Sequence, residues 1–361
     1  MKPIDYTKRQ SQIIDVLKAE EIDFLMVPPS INFFYLFKGY LGLSERLICG
    51  VLSSEEETTL IAPSFEKENM IIQTTFEDVV TWKEEENPYQ ILKNALPSKP
   101  KKLALEPSTP FEVYTRLKKQ FPEASFQDAS PIINKFRTVK SEEEIQRMIK
   151  ASEDTAAGIA SALEVIKAGQ TELEILKIVQ EQMTLNSGEM GWALVQIDEN
   201  SAVPHGKPSN KKLKQDSVIL IDAGTTCDHY FADITVTSVH GKPSKEFLDV
   251  YAIVEEANNI ALEISKTGIP AEQVDFAARG VIDDAGFGKY FTHRLGHGLG
   301  LQVHEEPYIV RGNKEPLVEG NVHTDEPGIY IPGKFGIRIE DDVLVGEKSK
   351  RLVEFDRYLW K

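Results

Sequence analysis

The segment between residues 293 and 340 concentrates side chains that can bind metal ions. Three of the chain's seven histidines lie between His293 and His304, among glycines that let the backbone pass close to a bound group. Two aspartates lie upstream, in Asp222-Ala-Gly and Asp233-Ile-Thr. The predicted ligands are Asp222, Asp233, His297, Glu326 and Glu340. Four carboxylates and one imidazole form a donor set for two hard or borderline divalent metal ions.

Two hairpins would bring these carboxylates together. Residues 218–221 form an apolar run that predicts a buried strand ending at Asp222, and residues 229–239 predict the returning strand. A turn centred just after Cys227 would then place Asp222 directly opposite Asp233.

The second predicted hairpin is centred on Gly333 and would place Glu326 directly opposite Glu340. Opposed side chains in a sheet have Cβ atoms about 4.5–5.5 Å apart, and like charges placed in this way destabilise the sheet. Two such pairs are compatible with a stable fold if cations lie between the carboxylates. A single Asp after a strand or a single Glu-Pro-Gly is more often a turn former, so the prediction depends on all five residues occurring together.

Helices with recognisable start and stop signals surround these strands. Ser141 begins a helix with a capping-box spacing, Gly169 ends it, and Thr171 begins the next helix. The same order returns 99 residues later around Gly268, with Pro270 opening the second helix of that pair. This repetition predicts an internal duplication with two halves around a shared sheet. A chance similarity of two helix pairs is the alternative.

The first 130 residues alternate predicted helices and strands, which indicates an α/β domain. The predicted helices are Tyr6–Glu20, Gln90–Leu96 and Phe111–Gln120, and the predicted strands are Asp23–Val27, Arg46–Leu52, Thr58–Ile61 and Lys102–Leu105. The aromatic run of Phe33, Phe34, Tyr35 and Phe37 is interpreted as core packing, with a ligand pocket as the alternative. A boundary near residues 130–142 separates this domain, residues 1–132, from a second domain, residues 133–361.

Composition and charge argue against several classes of partner. The chain has 361 residues, 41% of them hydrophobic, and a mean hydropathy of −0.28, as expected of two ordinary globular domains. A net charge of −16 and a pI of about 5.0 argue against a nucleic-acid or anionic-membrane partner. No apolar run reaches the roughly 18 residues of a membrane span, and the first residues lack the apolar core of a signal peptide. With only Cys49 and Cys227, no disulfide framework is expected, and a cytoplasmic location is predicted.

The motifs of the second domain resemble a known family. They are Ile221-Asp-Ala-Gly with Asp233-Ile-Thr, His293-Arg-Leu-Gly-His-Gly-Leu-Gly, Val303-His-Glu-Glu-Pro, Glu326-Pro-Gly-Ile-Tyr and Gly336-Ile-Arg-Ile-Glu-Asp. Residues 141–350 resemble a pita-bread metallopeptidase, and the whole chain is similar to the prolidase and Xaa-Pro aminopeptidase branch of that family. The resemblance implies an α/β N-terminal domain and an α+β pita-bread (creatinase/aminopeptidase-like) catalytic domain with pseudo-twofold halves.

The resemblance also implies a role for each predicted ligand. Asp222 would chelate one metal, Asp233 and Glu340 would bridge both metals, and His297 and Glu326 would bind the second. Two divalent metal ions are therefore expected, manganese first, with cobalt, zinc and iron as alternatives.

Further residues match positions near the substrate in this family. His205, in Val203-Pro-His-Gly, and His304 resemble histidines that contact the substrate and the tetrahedral intermediate. His293, Thr235 and Arg338 match positions beside the ligands or on the substrate side.

Four features depart from the usual pattern of the family. Val236 stands where an arginine is common, His323 stands where an apolar residue is usual, Asp325 adds an acid beside Glu326, and residues 195–202 lack a glycine. None of them changes a predicted ligand, so hydrolysis is still expected, and the departures concern the substrate pocket.

Together these features predict a peptidase that hydrolyses the Xaa-Pro bond of small proline-containing peptides. Two divalent metals can activate a water molecule at neutral pH. Glu326 would take the proton of that water and transfer it to the leaving proline nitrogen, while His205 and His304 would donate hydrogen bonds to the substrate. A homodimer is expected from the family.

An Xaa-Pro dipeptidase is favoured over an Xaa-Pro aminopeptidase that acts on longer peptides. A dipeptidase must bind the free carboxylate that follows proline, for which the fork of an arginine is suited. Arg338 is the first candidate, unless it orients Glu340 or a histidine, and Arg46 reaching from a neighbouring subunit is the second, with a surface position as its alternative. Arg294 is interpreted as forming a structural ion pair.

Three other classes are alternatives to a proline-specific peptidase. A pita-bread binding protein without catalysis, or a creatinase-like hydrolase, would be expected to lack part of the metal-ligand set, which is complete here. A methionine aminopeptidase would not explain the N-terminal domain or the Val203-Pro-His motif.

Overall fold

The computed structural model describes residues 1–357 of the chain. The chain divides into two compact units, one formed by Pro3–Phe136 and the other by Met1–Lys2 together with the residues from Arg137 onwards. The boundary expected between residues 132 and 133 falls inside a helix, Ser130–Arg137. Pro131 is the second residue of that helix, where its fixed φ and missing N–H are tolerated, so it marks the start of a helix and not the end of a domain.

The N-terminal unit is built on a mixed six-stranded sheet, which confirms the predicted α/β class. Its helices are α1 Tyr6–Ala19, α2 Ile31–Phe37, α3 Lys67–Gln73, α4 Pro88–Ala95, α5 Phe111–Gln120 and α6 Ser130–Arg137. Its strands are β1 Phe24–Val27, β2 Cys49–Ser53, β3 Thr58–Pro63, β4 Val80–Trp82, β5 Lys102–Leu105 and β6 Ser125–Asp128, in the sheet order β4-β3-β2-β1-β5-β6. Strand β1 pairs antiparallel with β2 and parallel with β5.

The aromatic run of the N-terminal unit belongs to its packed interior. Phe33 and Phe37 are completely buried, and their ring centroids lie 4.9 Å apart. A Cβ atom on Gly50 of β2 would come within 2.2 Å of the Phe37 ring, so glycine is required there by close packing. Each buried phenylalanine contributes roughly 1.5–3 kcal/mol to the free energy of folding. The core-packing interpretation therefore describes these residues, and the pocket alternative does not.

The second unit consists of two halves, each with a helix pair and a sheet. The first half contains α7 Glu142–Val165, α8 Glu172–Ser187, β7 Trp192–Ile197, β8 Ser217–Gly224, β9 Thr226–Cys227, β10 Tyr230–Phe231 and β11 Ile234–His240. The second half contains α9 Lys245–Ile264, α10 Ala271–Asp284, β12 Gly296–Gly298, β13 Glu305–Ile309, β14 Val322–Asp325, β15 Gly328–Ile331, β16 Phe335–Arg338, β17 Asp341–Leu344 and β18 Lys350–Arg351. The main sheets have the orders β11-β8-β7 and β13-β12-β14-β17-β18, and each half has its own hydrophobic core. This architecture is the predicted pita-bread fold with pseudo-twofold halves.

The two halves repeat the same backbone connections at the ends of their first helices. Gly169 and Gly268 have φ angles of +96° and +87°, which favour glycine. The Gly169 N–H donates to the Leu213 carbonyl at 2.8 Å, and the Gly268 N–H donates to the Leu317 carbonyl at 2.7 Å. This agreement between corresponding positions supports the internal duplication.

The first ligand hairpin differs from the prediction in its register. Asp222 on β8 lies opposite Thr235 on β11 and not opposite Asp233. The turn is formed by Asp228 and His229, whose φ angles of +47° and +69° are those of a two-residue turn with both central residues left-handed. This turn lies one residue later than predicted, which moves the pairing by two residues and makes Asp233 a diagonal neighbour of Asp222. Asp-His is not a common residue pair for this turn type, so the sequence does not indicate a turn at this place.

The second ligand hairpin has the predicted register on both sides of the ligands. Gly328 lies opposite Arg338 in the β15–β16 pair, and Asp325 lies opposite Asp341 in the β14–β17 pair. Both pairings are centred on Gly333, whose φ is +73°. Glu326 and Glu340 occupy the gap between the two ladders, where the backbone leaves regular pairing.

Candidate active site

The predicted ligands come from both halves of the second unit. Asp222 lies near the end of β8, and Asp233 lies just before β11 in the first half. His297 is the central residue of β12, Glu326 follows β14, and Glu340 lies between β16 and β17 in the second half. The halves are joined at this point, because the Glu340 N–H donates to the carbonyl of Thr235 at 3.1 Å.

The side chains of these residues converge on one buried space. Possible ligand atoms of Asp233, His297 and Glu340 all lie within 4.8 Å of one another. His297 Nε2 is 3.5 Å from Glu326 Oε1 and 3.8 Å from Asp233 Oδ2. Within residues 1–357, Asp222 Oδ1 and Asp233 Oδ1 are buried and have no hydrogen-bond partner. Buried carboxylate oxygens without donors fit a site that binds cations.

The electrostatics of the cluster also fit metal ions. Burial, and then the Glu340 carboxylate, raises the pKa of Asp233 well above its usual value. Burial, and then Glu326, does the same to the pKa of Glu340, and burial raises the pKa of Glu326 to about 7. Each shift means that negative charge is unfavourable at this place in the absence of a cation. Divalent ions would supply the missing positive charge.

The protonation state and orientation of His297 suit metal binding through Nε2. Its Nδ1 lies 3.1 Å from the carbonyl of Gly298, and because a carbonyl can only accept, the proton is on Nδ1. Burial and the neighbouring His304 lower the pKa of His297 to about 3, so the ring is neutral near pH 7. The Nε2 lone pair therefore faces Asp233 and Glu326, which is the arrangement of a metal-binding histidine.

Arg338 is fully engaged with the protein. Its Nη2 donates to Asp222 Oδ2, its Nε donates to Thr235 Oγ1 at 3.0 Å, and its Nη1 donates to the Tyr330 hydroxyl at 3.1 Å. The side chain is 3% exposed, and its Nε lies 3.7 Å from Glu340 Oε2. Each of its three nitrogens already donates to a residue around the ligands, which favours the alternative that Arg338 orients them over the expectation that it binds the substrate carboxylate.

His293 belongs to the same network. Its Nε2 accepts from the Tyr330 hydroxyl at 2.8 Å, and its Nδ1 donates to the Arg294 carbonyl at 2.7 Å. Burial and the positive charge of Arg338 lower the pKa of His293 to about 3. Both ring nitrogens are therefore occupied, so His293 orients Tyr330 and Arg338.

Thr235 also supports the carboxylate of Glu340. Its Oγ1 donates to Glu340 Oε2 at 2.5 Å and accepts from Arg338 Nε. A hydroxyl can accept from one neighbour while donating to another. Thr235 therefore connects the arginine to Glu340.

A cavity of about 860 Å³ opens onto the ligands. Trp192, Leu194 and Val303 give it an apolar wall, and His205, His304, Lys207 and Arg294 contribute polar groups. This mixture of one apolar side and a few directed polar groups is typical of a small-molecule site.

The two predicted substrate histidines both reach this cavity. The His304 ring meets the His297 ring edge-to-face with centroids 4.2 Å apart. His205 is exposed and lies on the loop that follows the short helix Asp198–Ala202. Each is placed to contact a molecule in the cavity without being a metal ligand.

A buried ion-pair cluster fixes the segment that carries His304. Glu305 accepts from Lys140 Nζ at 2.9 Å and from Arg137 Nη2. Although burial opposes it, the charges of Lys140 and Arg137 hold the pKa of Glu305 below its usual value. The motif Phe136-Arg-Thr-Val-Lys therefore anchors the residue next to a substrate-facing histidine.

Arg46 lies in the N-terminal unit, where it is paired with acidic neighbours. Its Nε donates to Glu84 Oε1 at 2.8 Å, and its Nη1 donates to Glu45. Its guanidinium also lies 5.4 Å from the centre of the Phe65 ring. These contacts correspond to the surface alternative for Arg46, and its reach into a neighbouring subunit stays a prediction.

The departures from the family pattern lie outside the cavity lining. Val236 and His323 are buried, and the His323 ring bonds Ser265 Oγ at 2.5 Å. Asp325 is 1% exposed, and neither of its carboxylate oxygens has a hydrogen-bond partner in the described part of the chain. Its strand neighbour Asp341 instead accepts from Arg351 and Arg357.

Several residues near the site were not singled out from the sequence. Tyr330 could have been noticed because it ends the motif Glu326-Pro-Gly-Ile-Tyr. Asp342 accepts the Asp233 N–H at 3.2 Å and the Ser152 hydroxyl at 2.7 Å, a contact between distant segments that no local pattern indicates. Lys207 directly follows the Val203-Pro-His-Gly motif, whereas Trp192 has no motif around it and only the fold places it at the cavity.

The fold and this carboxylate-rich centre define the class of pita-bread metallopeptidases. The chain belongs to metallopeptidase family M24, whose model matches residues 146–347. A model described as the creatinase/prolidase N-terminal domain matches residues 9–139.

Known proteins are similar to the chain over nearly its whole length. An uncharacterized peptidase of Staphylococcus aureus strain USA300 is 35% identical over 342 residues, which cover 93% of this chain and 95% of that protein. The structure is similar to that of the prolidase from Thermococcus sibiricus, with 37% identity, a TM-score of 0.91, and coverage of 99% of this chain and 100% of that one. It is also similar to an X-Pro aminopeptidase from Thermotoga maritima, with 33% identity, a TM-score of 0.86, and coverage of 97% and 98%. Among the helices of residues 1–357, none combines the length and apolar character needed to cross a membrane.

Proposed function

We propose that this protein is a metal-dependent Xaa-Pro dipeptidase. The observation that carries the proposal is the convergence of Asp233, His297 and Glu340 beside a cavity of about 860 Å³, in a chain of family M24 that resembles a prolidase over its full length. The volume suits a small ligand. The substrates are dipeptides whose second residue is proline.

Two divalent ions would be held by Asp222, Asp233, His297, Glu326 and Glu340. When bound, they would supply an activated water molecule and polarise the scissile carbonyl. Carboxylates make up four of the five donors, and carboxylate oxygens suit manganese, so manganese is the proposed ion. Cobalt, zinc and iron are the alternatives.

The protein's own groups then move a proton and hold the substrate. Glu326 would accept a proton from water on a carboxylate oxygen and deliver it to the proline nitrogen, which leaves as a secondary amine. His304 and His205 would donate hydrogen bonds to the carbonyl oxygen of the substrate as negative charge develops there. The Thr235–Arg338–Tyr330–His293 network fixes the ligands before the substrate enters.

The proposed carboxylate-binding residue is Arg294. It lines the cavity, its guanidinium lies 4.6 Å from the centre of the Tyr308 ring, and it forms no ion pair with the described residues. The structural ion pair expected from the sequence is therefore absent from residues 1–357. An arginine fork without an ion-pair partner at the cavity wall can donate two hydrogen bonds to the terminal carboxylate of a dipeptide.

A peptidase assay tests this function directly. Purified protein supplemented with manganese is incubated with Xaa-Pro dipeptides, Xaa-Pro-Xaa tripeptides and Xaa-Ala dipeptides of matched first residue. Hydrolysis of Xaa-Pro dipeptides at least tenfold faster than of the other two supports the proposal. Preference for the tripeptides would establish an Xaa-Pro aminopeptidase instead, the second candidate suggested by the similarity to the Thermotoga protein. We also propose a cytoplasmic homodimer, which fractionation and sedimentation would test.

A further inference from the structure

We infer that Glu172 is a positioning residue for the reaction, because its carboxylate holds both ends of the loop that carries His205. The inference rests on the proposed function, since it concerns a loop that faces the substrate of that reaction. Glu172 is the first residue of α8 and is completely buried, although it is neither a metal ligand nor part of the cavity lining.

Four hydrogen bonds converge on the Glu172 carboxylate. Oε1 accepts from the Ile197 N–H at 2.7 Å and from Asn200 Nδ2 at 2.9 Å. Oε2 accepts from both the N–H and the hydroxyl of Ser209, each at 2.7 Å. One side chain therefore ties the start of the loop to its end, and the four donors offset the cost of burying a carboxylate.

The interior of the loop is fixed separately by Gln196. Its Nε2 donates to the carbonyls of Asn200 at 3.0 Å and Val203 at 2.8 Å. A Cβ atom on Gly206 would come within 2.5 Å of the same nitrogen, so the backbone next to His205 lies directly on the Gln196 amide. The tip with His205 and Lys207 is exposed and faces the cavity, whereas its base is rigidly held.

The internal duplication indicates that the Glu172 carboxylate is not needed to form the connection between the two helices of a half. Ala271 corresponds to Glu172 in the second half, and its N–H donates to the Glu315 carbonyl at 3.0 Å, just as the Glu172 N–H donates to the Lys211 carbonyl at 3.0 Å. The helix–stop–helix connection thus forms with an alanine at this place. The carboxylate of Glu172 serves the loop of the first half, which contains the substrate-facing histidine.

The principal test compares Glu172→Gln with Glu174→Gln in the full-length, manganese-loaded protein. Glutamine replaces one acceptor oxygen with an NH₂ group that faces a donor, so half of the contacts are lost. Glu174 accepts from Thr171 at the same helix end, and its substitution loosens the helix without touching the loop. We expect Glu172→Gln to lower kcat for an Xaa-Pro dipeptide by about ten- to a hundredfold, with unchanged metal content and faster amide exchange in residues 198–209. Glu174→Gln should stay within twofold of the unsubstituted protein.

A double substitution separates positioning from general stability. In a His205→Ala background, Glu172→Gln should cause less than a further twofold loss, because the group that it positions is already gone. A full additional loss there, an equal loss in Glu174→Gln, or unchanged exchange in residues 198–209 would each overturn the inference. If Glu172→Gln does not yield folded protein, Asn200→Ala combined with Ser209→Ala takes its place under the same criteria.

A failure of the positioning inference can be distinguished from a failure of the proposed function. An unsubstituted protein that hydrolyses none of the peptides would overturn the proposed function. Exchange in residues 198–209 needs no substrate, so it reports on the Glu172 contacts in either case. Normal exchange in the Glu172→Gln protein would overturn the positioning inference even if the peptidase activity is confirmed.

Discussion

Arg338 and Arg294 have different tasks although both lie at the same cavity. Arg338 has its donors on Asp222, Thr235 and Tyr330, so it organises the ligands. Arg294 lines the cavity without an ion pair to residues 1–357 and is available to a substrate. All three nitrogens of the Arg338 guanidinium already donate to protein groups, and its side chain is only 3% exposed, so it is poorly placed to bind a further carboxylate. The two arginines differ only in the contacts that the folded structure gives them, and the sequence motifs around them do not show those contacts.

Substitution of Arg294 should affect binding more than turnover. We expect Arg294→Ala to raise KM for Xaa-Pro dipeptides by about tenfold or more, because the loss of a charged hydrogen bond costs about 1.5–3 kcal/mol. Its kcat should change little. Arg311→Ala, in which a guanidinium over the Phe276 ring is removed, is the control. A rise in KM that is equal for tripeptide amides, which lack the carboxylate, would contradict this role.

Glu326 should be indispensable for catalysis. Its carboxylate lies 3.5 Å from His297 Nε2 and is proposed both to bind metal and to carry a proton. We expect Glu326→Gln to reduce kcat by at least about 10²–10⁴-fold, the range of a lost general base, while circular dichroism shows a folded protein. His240→Ala, at the end of β11, is the control. Comparable activity of the two variants would show that the site is wrongly assigned.

At the scale of elements, helix α7 takes part in positioning the proposed ligand Asp233, which lies just before β11. Ser152 of this helix donates to Asp342 at 2.7 Å, and Asp342 in turn accepts the N–H of Asp233. Asp342 follows Glu340 by two residues, so one carboxylate couples the backbones around both proposed bridging ligands. We therefore expect a change at Ser152 to reach the backbone of Asp233 through the Asp342 carboxylate.

Removal of the Ser152 hydroxyl should weaken metal binding. We expect Ser152→Ala to lower the affinity for manganese by about ten- to a hundredfold, the usual effect of losing a group that orients a ligand. Calorimetric titration of the metal-free protein measures this affinity. Ser161→Ala in the same helix is the matched control. Equal affinities of the two variants would contradict the coupling.

The helices were predictable because their signals are local, whereas the proposed ligand set was inferred from motifs spread between residues 222 and 340. The capping boxes at Ser141 and Thr171 are formed as predicted, and α5 has the predicted ends. The hairpin around Asp228 was misplaced by one residue because the choice of turn depends on strand twist and pairing. Helix α3 and the edge strands β4 and β6 were missed, since such short elements carry little apolar pattern.

The partners within the site could not be predicted for a different reason. The residues that hold the ligands and the His205 loop, such as Ser152, Glu172 and Tyr330, come from segments far apart in sequence. Their types are common in any chain, so neither composition nor spacing identifies them. Only the folded backbone brings them into contact.

At the scale of the whole molecule, the metal centre should contribute to stability. Four carboxylates in one buried cluster repel one another unless cations are bound. Ions that bind only the folded state stabilise it by about 2.7 kcal/mol at a concentration one hundred times Kd. We expect exhaustive chelation to lower Tm and abolish activity, and added manganese to restore both. Full activity in a sample shown by elemental analysis to be free of metal would refute the two-metal site.

The division of the ligands between the halves sets the order in which a new chain can become active. Asp222 and Asp233 leave the ribosome with the first half, whereas His297, Glu326 and Glu340 follow later. A first half that has already folded holds two carboxylates with no imidazole and no second pair beside them. The complete donor set exists only after β17 has joined β14. We therefore expect the full set of five proposed ligands to be available to metal only after the second half has folded, and a chain that ends before Glu340 would lack part of that set.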